Sequence, residues 1–131
     1  MDIREVEKDI LNDLKELEDT ISQYTYLISC AYYCEELPEE YRQEQYLVKE
    51  CQVNTWMHVS WQNDTCTILA DSESLIVKGA LALLQELYHG RTREEIGDYQ
   101  CALLEHEIFS KHFTAEQRQG LEGVIYKLKT T

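Results

Sequence analysis

The chain has 131 residues, of which 44% are hydrophobic, and it contains five glycines and one proline. This length and composition predict one domain over residues 1–131 with a single core, and exclude a wholly disordered, collagen-like or low-complexity chain. The formal net charge of −13 argues against nucleic acid and anionic membrane as partners, because both are bound mainly through Lys and Arg.

Nothing in the sequence resembles a membrane-spanning or secretory segment. No apolar run approaches the roughly 20 residues that a transmembrane helix needs. The first five residues already carry three charges, so the apolar stretch of a secretory signal is missing there. We therefore expect a cytoplasmic protein.

The N-terminal third of the chain predicts two helices. Residues 2–22 form an amphipathic pattern, with apolar residues every three or four positions. The residues of this stripe are Ile3, Val6, Ile10, Leu14, Leu17 and Ile21. Residues 24–36 predict a second helix that ends at Leu37-Pro38, since the residue before a proline disfavours helical geometry.

The middle of the chain predicts a hairpin. Residues 39–46 are polar and aromatic, as in a loop or short helical turn, and Leu47 and Val48 open a short strand. Apolar and polar residues alternate over residues 55–61, a turn follows at residues 62–64, and residues 65–70 return as the second strand.

The remaining residues predict helices. Asp71 or Ser72 is expected to cap a central buried helix that ends at Gly90, with Gly79 marking a close backbone contact. Capping boxes begin at Thr92 and Thr114, and residues 99–110 predict another helix between them. Strands grouped together with helices elsewhere indicate an α+β fold, in which a small antiparallel sheet is covered by helices.

The five cysteines are odd in number, so a disulfide framework is not expected in a cytoplasmic chain. A zinc site needs about four ligands at suitable spacing, and none is evident. Cys51 lies in a polar stretch just before a strand, where a thiol is accessible, and it is the candidate reactive residue; a half-buried packing role is the alternative. The other four are expected to fill space, with Cys66 nearest to Cys51: Cys30, Cys34, Cys66 and Cys101.

Four segments, in order, resemble the SufE family of cysteine desulfuration proteins, and the resemblance runs from Tyr24 to the end. The segments are Tyr26-Leu27-Ile28 followed by Leu37-Pro38, Val48-Lys49-Glu50-Cys51-Gln52-Val53-Asn54-Thr55-Trp56, Asp71-Ser72-Glu73-Ser74-Leu75-Ile76-Val77-Lys78-Gly79, and Arg118-Gln119-Gly120-Leu121-Glu122. The resemblance implies the SufE/NifU-like arrangement of helices on a small antiparallel sheet.

The resemblance also implies a function. Cys51 would accept sulfur from the persulfide of a SufS-like cysteine desulfurase and pass it to an iron–sulfur scaffold of the SufBCD type. The chain would be a sulfurtransferase-type accessory protein that stimulates the desulfurase, with no cofactor of its own, because the pyridoxal phosphate belongs to the desulfurase. The supporting residues would be Glu50, Gln52, Trp56, Asp71 and Arg118.

Two residues depart from the family pattern beside the cysteine. The family usually has Gly where this chain has Glu50, and Ser where it has Val53. A nearby carboxylate disfavours a thiolate, and losing glycine restricts the loop backbone. Val53 also lacks a hydroxyl that could donate near the sulfur. The alternative function is therefore a non-catalytic SufE-like binding or regulatory module.

Overall fold

The computed structural model describes residues 1–131 and contains six α-helices and one two-stranded antiparallel sheet. In chain order the elements are α1 (Ile3–Glu16), α2 (Thr20–Cys30), β1 (Thr55–Gln62), β2 (Thr65–Ser72), α3 (Leu75–Tyr88), α4 (Arg93–Asp98), α5 (Glu107–His112) and α6 (Ala115–Thr130). The predicted α+β class, with a small antiparallel sheet packed against helices, is confirmed. None of the helices has the length and apolar content needed to cross a bilayer.

The hairpin forms because its turn and its alternation agree. Asn63 and Asp64 take φ of 51° and 63°, a left-handed conformation that these two residue types tolerate. Residues alternate between the two faces of a strand, so Met57 and Ala70, paired across the strands, point into the core. The short strand predicted at residues 47–48 is reduced to one bridge, between Leu47 and Trp56.

The outer face of the hairpin is covered by the segment predicted as a loop or short turns. Residues 39–46 form two 3-10 turns, Glu39–Tyr41 and Glu44–Tyr46. The Tyr41 ring stacks on His58 of β1 with 3.8 Å between ring centroids. This contact holds the segment, including Arg42, against the strand.

Helix α3 is the centre of the core, as its sequence predicts. It packs against β2, α1 and α2, and nearly all of its side chains are buried. A Cβ on Gly79 would lie 2.0 Å from the carbonyl oxygen of Leu27 in α2, so the predicted close backbone contact is confirmed. Gly90 follows the helix with φ of 80°, the left-handed geometry in which glycine ends helices.

The predicted helix over residues 2–22 is wrong in its extent, because the chain breaks at residues 17–19. Leu17 is extended, and Asp19 begins α2 by accepting a hydrogen bond from the backbone N–H of Ser22 at 2.8 Å. Ile21 therefore belongs to α2 and is 78% exposed. The predicted second helix likewise begins earlier than expected, at Thr20, and its last turn ends at Tyr33.

Two other helix boundaries differ from the prediction. The cap of α3 is Ser74, which accepts from the backbone N–H of Val77; Asp71 and Ser72 instead extend β2, since Ser72 pairs with Thr55. Residues 99–110 are not one helix. A 3-10 turn at Leu103–Glu105 precedes α5, which begins where the His106 ring caps the backbone N–H of Ile108 at 3.2 Å.

Candidate functional site

Residues 48–54, which we call the Cys51 loop, form a tight excursion at the open end of the hairpin. The Val48 backbone N–H donates to the Thr55 carbonyl at 2.8 Å, and the Cys51 N–H donates to the Val48 carbonyl at 3.1 Å. At the other end the Glu73 N–H donates to the Asn54 carbonyl at 3.0 Å. Both ends of the loop are therefore held by the sheet, which positions its tip.

Two glycines of α6 receive the loop. A Cβ on Gly120 would lie 2.6 Å from Cys51 Sγ and 3.2 Å from Cys51 Cα. A Cβ on Gly123 would lie 2.7–2.9 Å from the side chain of Glu50. Residues three apart share a helix face, so both glycines belong to one bare strip of α6 on which the loop packs.

The Cys51 side chain is half-buried and lines a surface cavity of about 230 Å³. Residues of the loop, the start of α3 and the start of α6 complete its wall: Gln52, Val53, Ser74, Val77, Thr114, Glu116 and Gln117. Val53 is 42% exposed at its rim. The thiol thus faces a space that can hold a small group.

The surroundings of Cys51 favour the neutral thiol. Burial raises the pKa of Cys51, the Thr55 hydroxyl opposes this shift by hydrogen bonding, and the Glu50 carboxylate raises the pKa further. The effect of Glu50 has the direction expected from its sequence position. In the unbound protein the thiolate, which is the nucleophilic form, is consequently a minor species at neutral pH.

Asp71 lies at the base of the loop, on the strand position paired with Trp56. Its carboxylate meets Arg42 at 2.5 Å and Lys78 Nζ at 3.2 Å, and the Arg42 guanidinium lies 5.4 Å from the Trp56 ring centroid. Burial alone raises the pKa of Asp71, but hydrogen bonds from Arg42, the Ser72 N–H and Lys78 outweigh it and hold the pKa below its ordinary value. This group joins β1, β2, α3 and the 3-10 segment beside the loop.

Arg118 belongs to the same end of the molecule. It is half-buried in the early turns of α6, two residues before Gly120, and its buried Nε has no hydrogen-bond partner. It does not line the cavity of Cys51. Of the six site residues suggested by the sequence, Cys51 and Gln52 line the cavity, Glu50 packs on α6, and Trp56 and Asp71 lie at the base of the loop.

The structure adds residues that the sequence reasoning missed. Arg42 is the partner of Asp71, and Gly120 and Gly123 form the surface on which the loop packs. The spacing of two glycines within the last helical pattern, where each costs up to about 1 kcal/mol against alanine, was the available signal. Such a spacing indicates that another segment packs closely on the helix, but it does not identify that segment.

The expectation that Cys66 lies nearest to Cys51 is wrong. Cys66 pairs with Trp61 at the closed end of the hairpin, whereas the loop leaves the open end, where Thr55 pairs with Ser72. All five cysteines are free thiols. Cys34 is half-buried like Cys51, and its Sγ lies 3.5 Å from the carbonyl oxygen of Ala70. No group of three or more His, Cys, Asp or Glu side chains is placed to hold a metal ion.

Comparison with known proteins concerns the fold and the family. The solution structure of a hypothetical protein from Thermus thermophilus is similar over 95% of this chain and 91% of its own, with a TM-score of 0.78 and 20% sequence identity; this likeness concerns the fold. The model of the family described as "SufE: Fe-S metabolism associated domain" matches residues 8–131. The chain therefore belongs to the SufE family of domains associated with iron–sulfur metabolism.

Proposed function

We propose that this protein is a sulfur carrier that accepts sulfane sulfur on Cys51 from a SufS-like cysteine desulfurase and passes it to a SufBCD-like cluster scaffold. The observation that carries the proposal is the place of Cys51, a free thiol on a sheet-held loop that lines a cavity of about 230 Å³. Membership of a family associated with iron–sulfur metabolism supports the same role.

The chemistry is a thiol–persulfide exchange. The Cys51 thiolate attacks the outer sulfur of the partner persulfide, a new S–S bond forms on Cys51, and the inner sulfur of the partner leaves as a thiolate. The S–S bond of the partner persulfide breaks as the new one forms, so there is no net oxidation, and the proton lost by Cys51 balances the one taken up by the leaving thiolate. The same exchange, with the Cys51 persulfide as donor, passes the sulfur to a scaffold cysteine. Neither step requires a cofactor on this chain.

The residues around Cys51 have supporting roles in this proposal. The cavity has room for a small sulfur group, and its lining includes Gln52 and Gln117, a residue type whose amide can donate hydrogen bonds. The ion pairs of Asp71 with Arg42 and Lys78 keep the base of the loop in place. With a net charge of −13, the protein is best matched by a partner that presents a basic face.

A mass measurement tests the proposal. The protein is incubated with a cysteine desulfurase and L-cysteine, and intact mass is recorded before and after reduction. We expect a reducible gain of one sulfur atom that is lost in Cys51→Ser and kept in Cys34→Ser, a matched control because both thiols are half-buried. A gain that persists in Cys51→Ser contradicts the proposal.

The raised pKa of Cys51, caused by burial and then by the Glu50 carboxylate, favours a second candidate function. In that case the protein binds the desulfurase as a regulatory module and carries no sulfur. Wild-type protein and Cys51→Ser would then bind the desulfurase equally, and neither would raise its turnover. A rise in turnover with wild type that is absent with Cys51→Ser excludes this second function.

A further inference from the structure

Glu50 is an exposed residue whose side chain rests against α6 at Gly123, where a helix side chain would collide with it. A Cβ on Gly123 would come 2.7 Å from Glu50 Oε1, 2.8 Å from Cδ and 2.9 Å from Cβ. The carboxylate end could swing away from such a methyl group. The Glu50 Cβ is attached to the loop backbone, so it can move only if the loop moves.

The same strip of α6 also seats the thiol. A Cβ on Gly120 would lie 2.6 Å from Cys51 Sγ, so the sulfur packs directly against the helix backbone on one side of the cavity that it lines. Glu50 and Cys51 are adjacent in sequence, and Gly120 and Gly123 are neighbours on one helix face. The packing of Glu50 on Gly123 and of Cys51 on Gly120 are therefore parts of one contact between the loop and the helix.

Steric fit contributes more to this contact than electrostatic attraction does. Glu50 takes part in none of the ion pairs of the structure. Burial lowers the pKa of Lys127, one turn beyond Gly123; the Glu50 carboxylate opposes that shift, and Lys49 adds to it. This longer-range attraction adds to the contact, but the fit to a helix without side chains at two positions determines where the loop lies.

We infer that Glu50 is a positioning residue that, by occupying the niche over Gly123, holds the Cys51 thiol retracted against Gly120 until the loop is displaced. The inference rests on the proposed function, because it concerns the access of the proposed carrier thiol. It predicts that Glu50 and Gly123 act as a pair: a methyl group at position 123 displaces the loop only when residue 50 has a side chain.

The test is the rate of Cys51 alkylation by iodoacetamide as a function of pH, resolved by peptide mass spectrometry. Four variants are compared with wild type: Gly123→Ala, Glu50→Gly, the two combined, and Glu50→Gln. The limiting rate at high pH reports the access of the thiolate, and the midpoint reports its pKa. Cys66, which is 1% exposed, reports global unfolding in the same samples.

We expect Gly123→Ala and Glu50→Gly each to raise the limiting rate several-fold while Cys66 stays unlabelled. The double variant should match Glu50→Gly alone. Glu50→Gln keeps the shape and removes the charge, so it should lower the midpoint and leave the limiting rate unchanged. The melting temperature should fall on Gly123→Ala when Glu50 is present, and rise when residue 50 is glycine, because alanine is the better helix former.

The inference is overturned if Cys51 in Gly123→Ala is alkylated at the wild-type rate. It is also overturned if Gly123→Ala changes that rate equally in the wild-type and the Glu50→Gly backgrounds. If Cys66 becomes labelled in Gly123→Ala, the protein has opened globally, and Glu50→Gly decides instead: an unchanged limiting rate there overturns the inference. Alkylation needs no desulfurase, so this result is separate from the sulfur-transfer assay. Glu50 can hold the loop in a protein that fails to accept sulfur, and a protein that accepts sulfur can lack this restraint.

Discussion

Helix glycines are closely approached at two places in this molecule, and the groups that approach them differ. At Gly79 the helix α3 approaches α2 so closely that a Cβ would lie 2.0 Å from the Leu27 carbonyl oxygen. At Gly120 and Gly123 the helix α6 receives a loop, and a Cβ would meet the side chains of Cys51 and Glu50 at 2.6–2.9 Å. In the first contact both sides are helix backbone within the core.

The two contacts differ in how far the approaching group can move: the contact at Gly79 is rigid, whereas the contact at Gly120 and Gly123 can open. The backbone of α2 cannot retreat from α3 without disrupting the hydrogen bonds and packing of a buried helix pair, and protein interiors resist such shifts. The Cys51 loop is largely exposed; the sheet holds its two ends, and its tip contacts α6 mainly through the side chains of Cys51 and Glu50. A small residue in a core thus fixes two elements together, whereas the same residue under a functional loop allows that loop to rest without being locked.

Gly79→Ala should have the largest effect, because the methyl group meets rigid backbone. We expect overpacking to lower the free energy of unfolding by about 3 kcal/mol, the upper end of the usual range. Urea denaturation followed by circular dichroism measures it. A loss below that of Gly120→Ala would contradict the distinction between the two contacts.

Gly120→Ala should destabilise by a smaller amount, about 1–2 kcal/mol, because the loop can move. This loss of stability should depend on the Cys51 sulfur, since the atom nearest to a Cβ at position 120 is Cys51 Sγ, at 2.6 Å. In a Cys51→Ala background we therefore expect the loss of stability to shrink by about half. Equal losses in both backgrounds would show that the loop backbone, not the thiol, carries the contact.

Asp71→Asn tests whether the ion pairs at the base of the loop contribute to stability in addition to the glycine contacts. Hydrogen bonds to a charged group contribute about 1.5 kcal/mol or more, so the variant should be less stable at neutral pH. The folded-state pKa of Asp71 lies below the ordinary value that applies in the unfolded chain. The contribution is therefore complete above the unfolded-state pKa and is lost as the pH falls through the folded-state pKa. Unfolding free energies of both proteins should converge in acid; a gap that persists there contradicts this origin.

Gly97→Ala should have the smallest effect and serves as the control for the three glycines above. Gly97 is exposed in α4, and a Cβ there would meet nothing within 4 Å. We expect a gain of about 0.5 kcal/mol in unfolding free energy, because alanine reduces the entropy of the unfolded chain. A loss of stability would indicate that glycine substitution is harmful in this protein regardless of contact.

Local signals in the sequence predicted much of the fold. The capping boxes at Thr92 and Thr114 begin α4 and α6, and the alternation over residues 55–61 lies within β1. The errors arose where two local signals competed. Asp19 acts as a cap that divides a continuous apolar pattern, and Asp71 is drawn into β2 by pairing with the opposite strand, although its residue type also favours a helix start.

By itself, the sequence determined the α+β class, the family, and the candidate thiol Cys51, because each depends on patterns within a few residues or on motifs read in order. The tertiary structure alone decided what lies against that thiol: Gly120 beneath the sulfur, Gly123 beneath Glu50, and Cys66 at the far end of the hairpin. The physical reason is that glycine leaves room without specifying an occupant, so a contact between positions 50 and 123 follows only from how the whole chain packs.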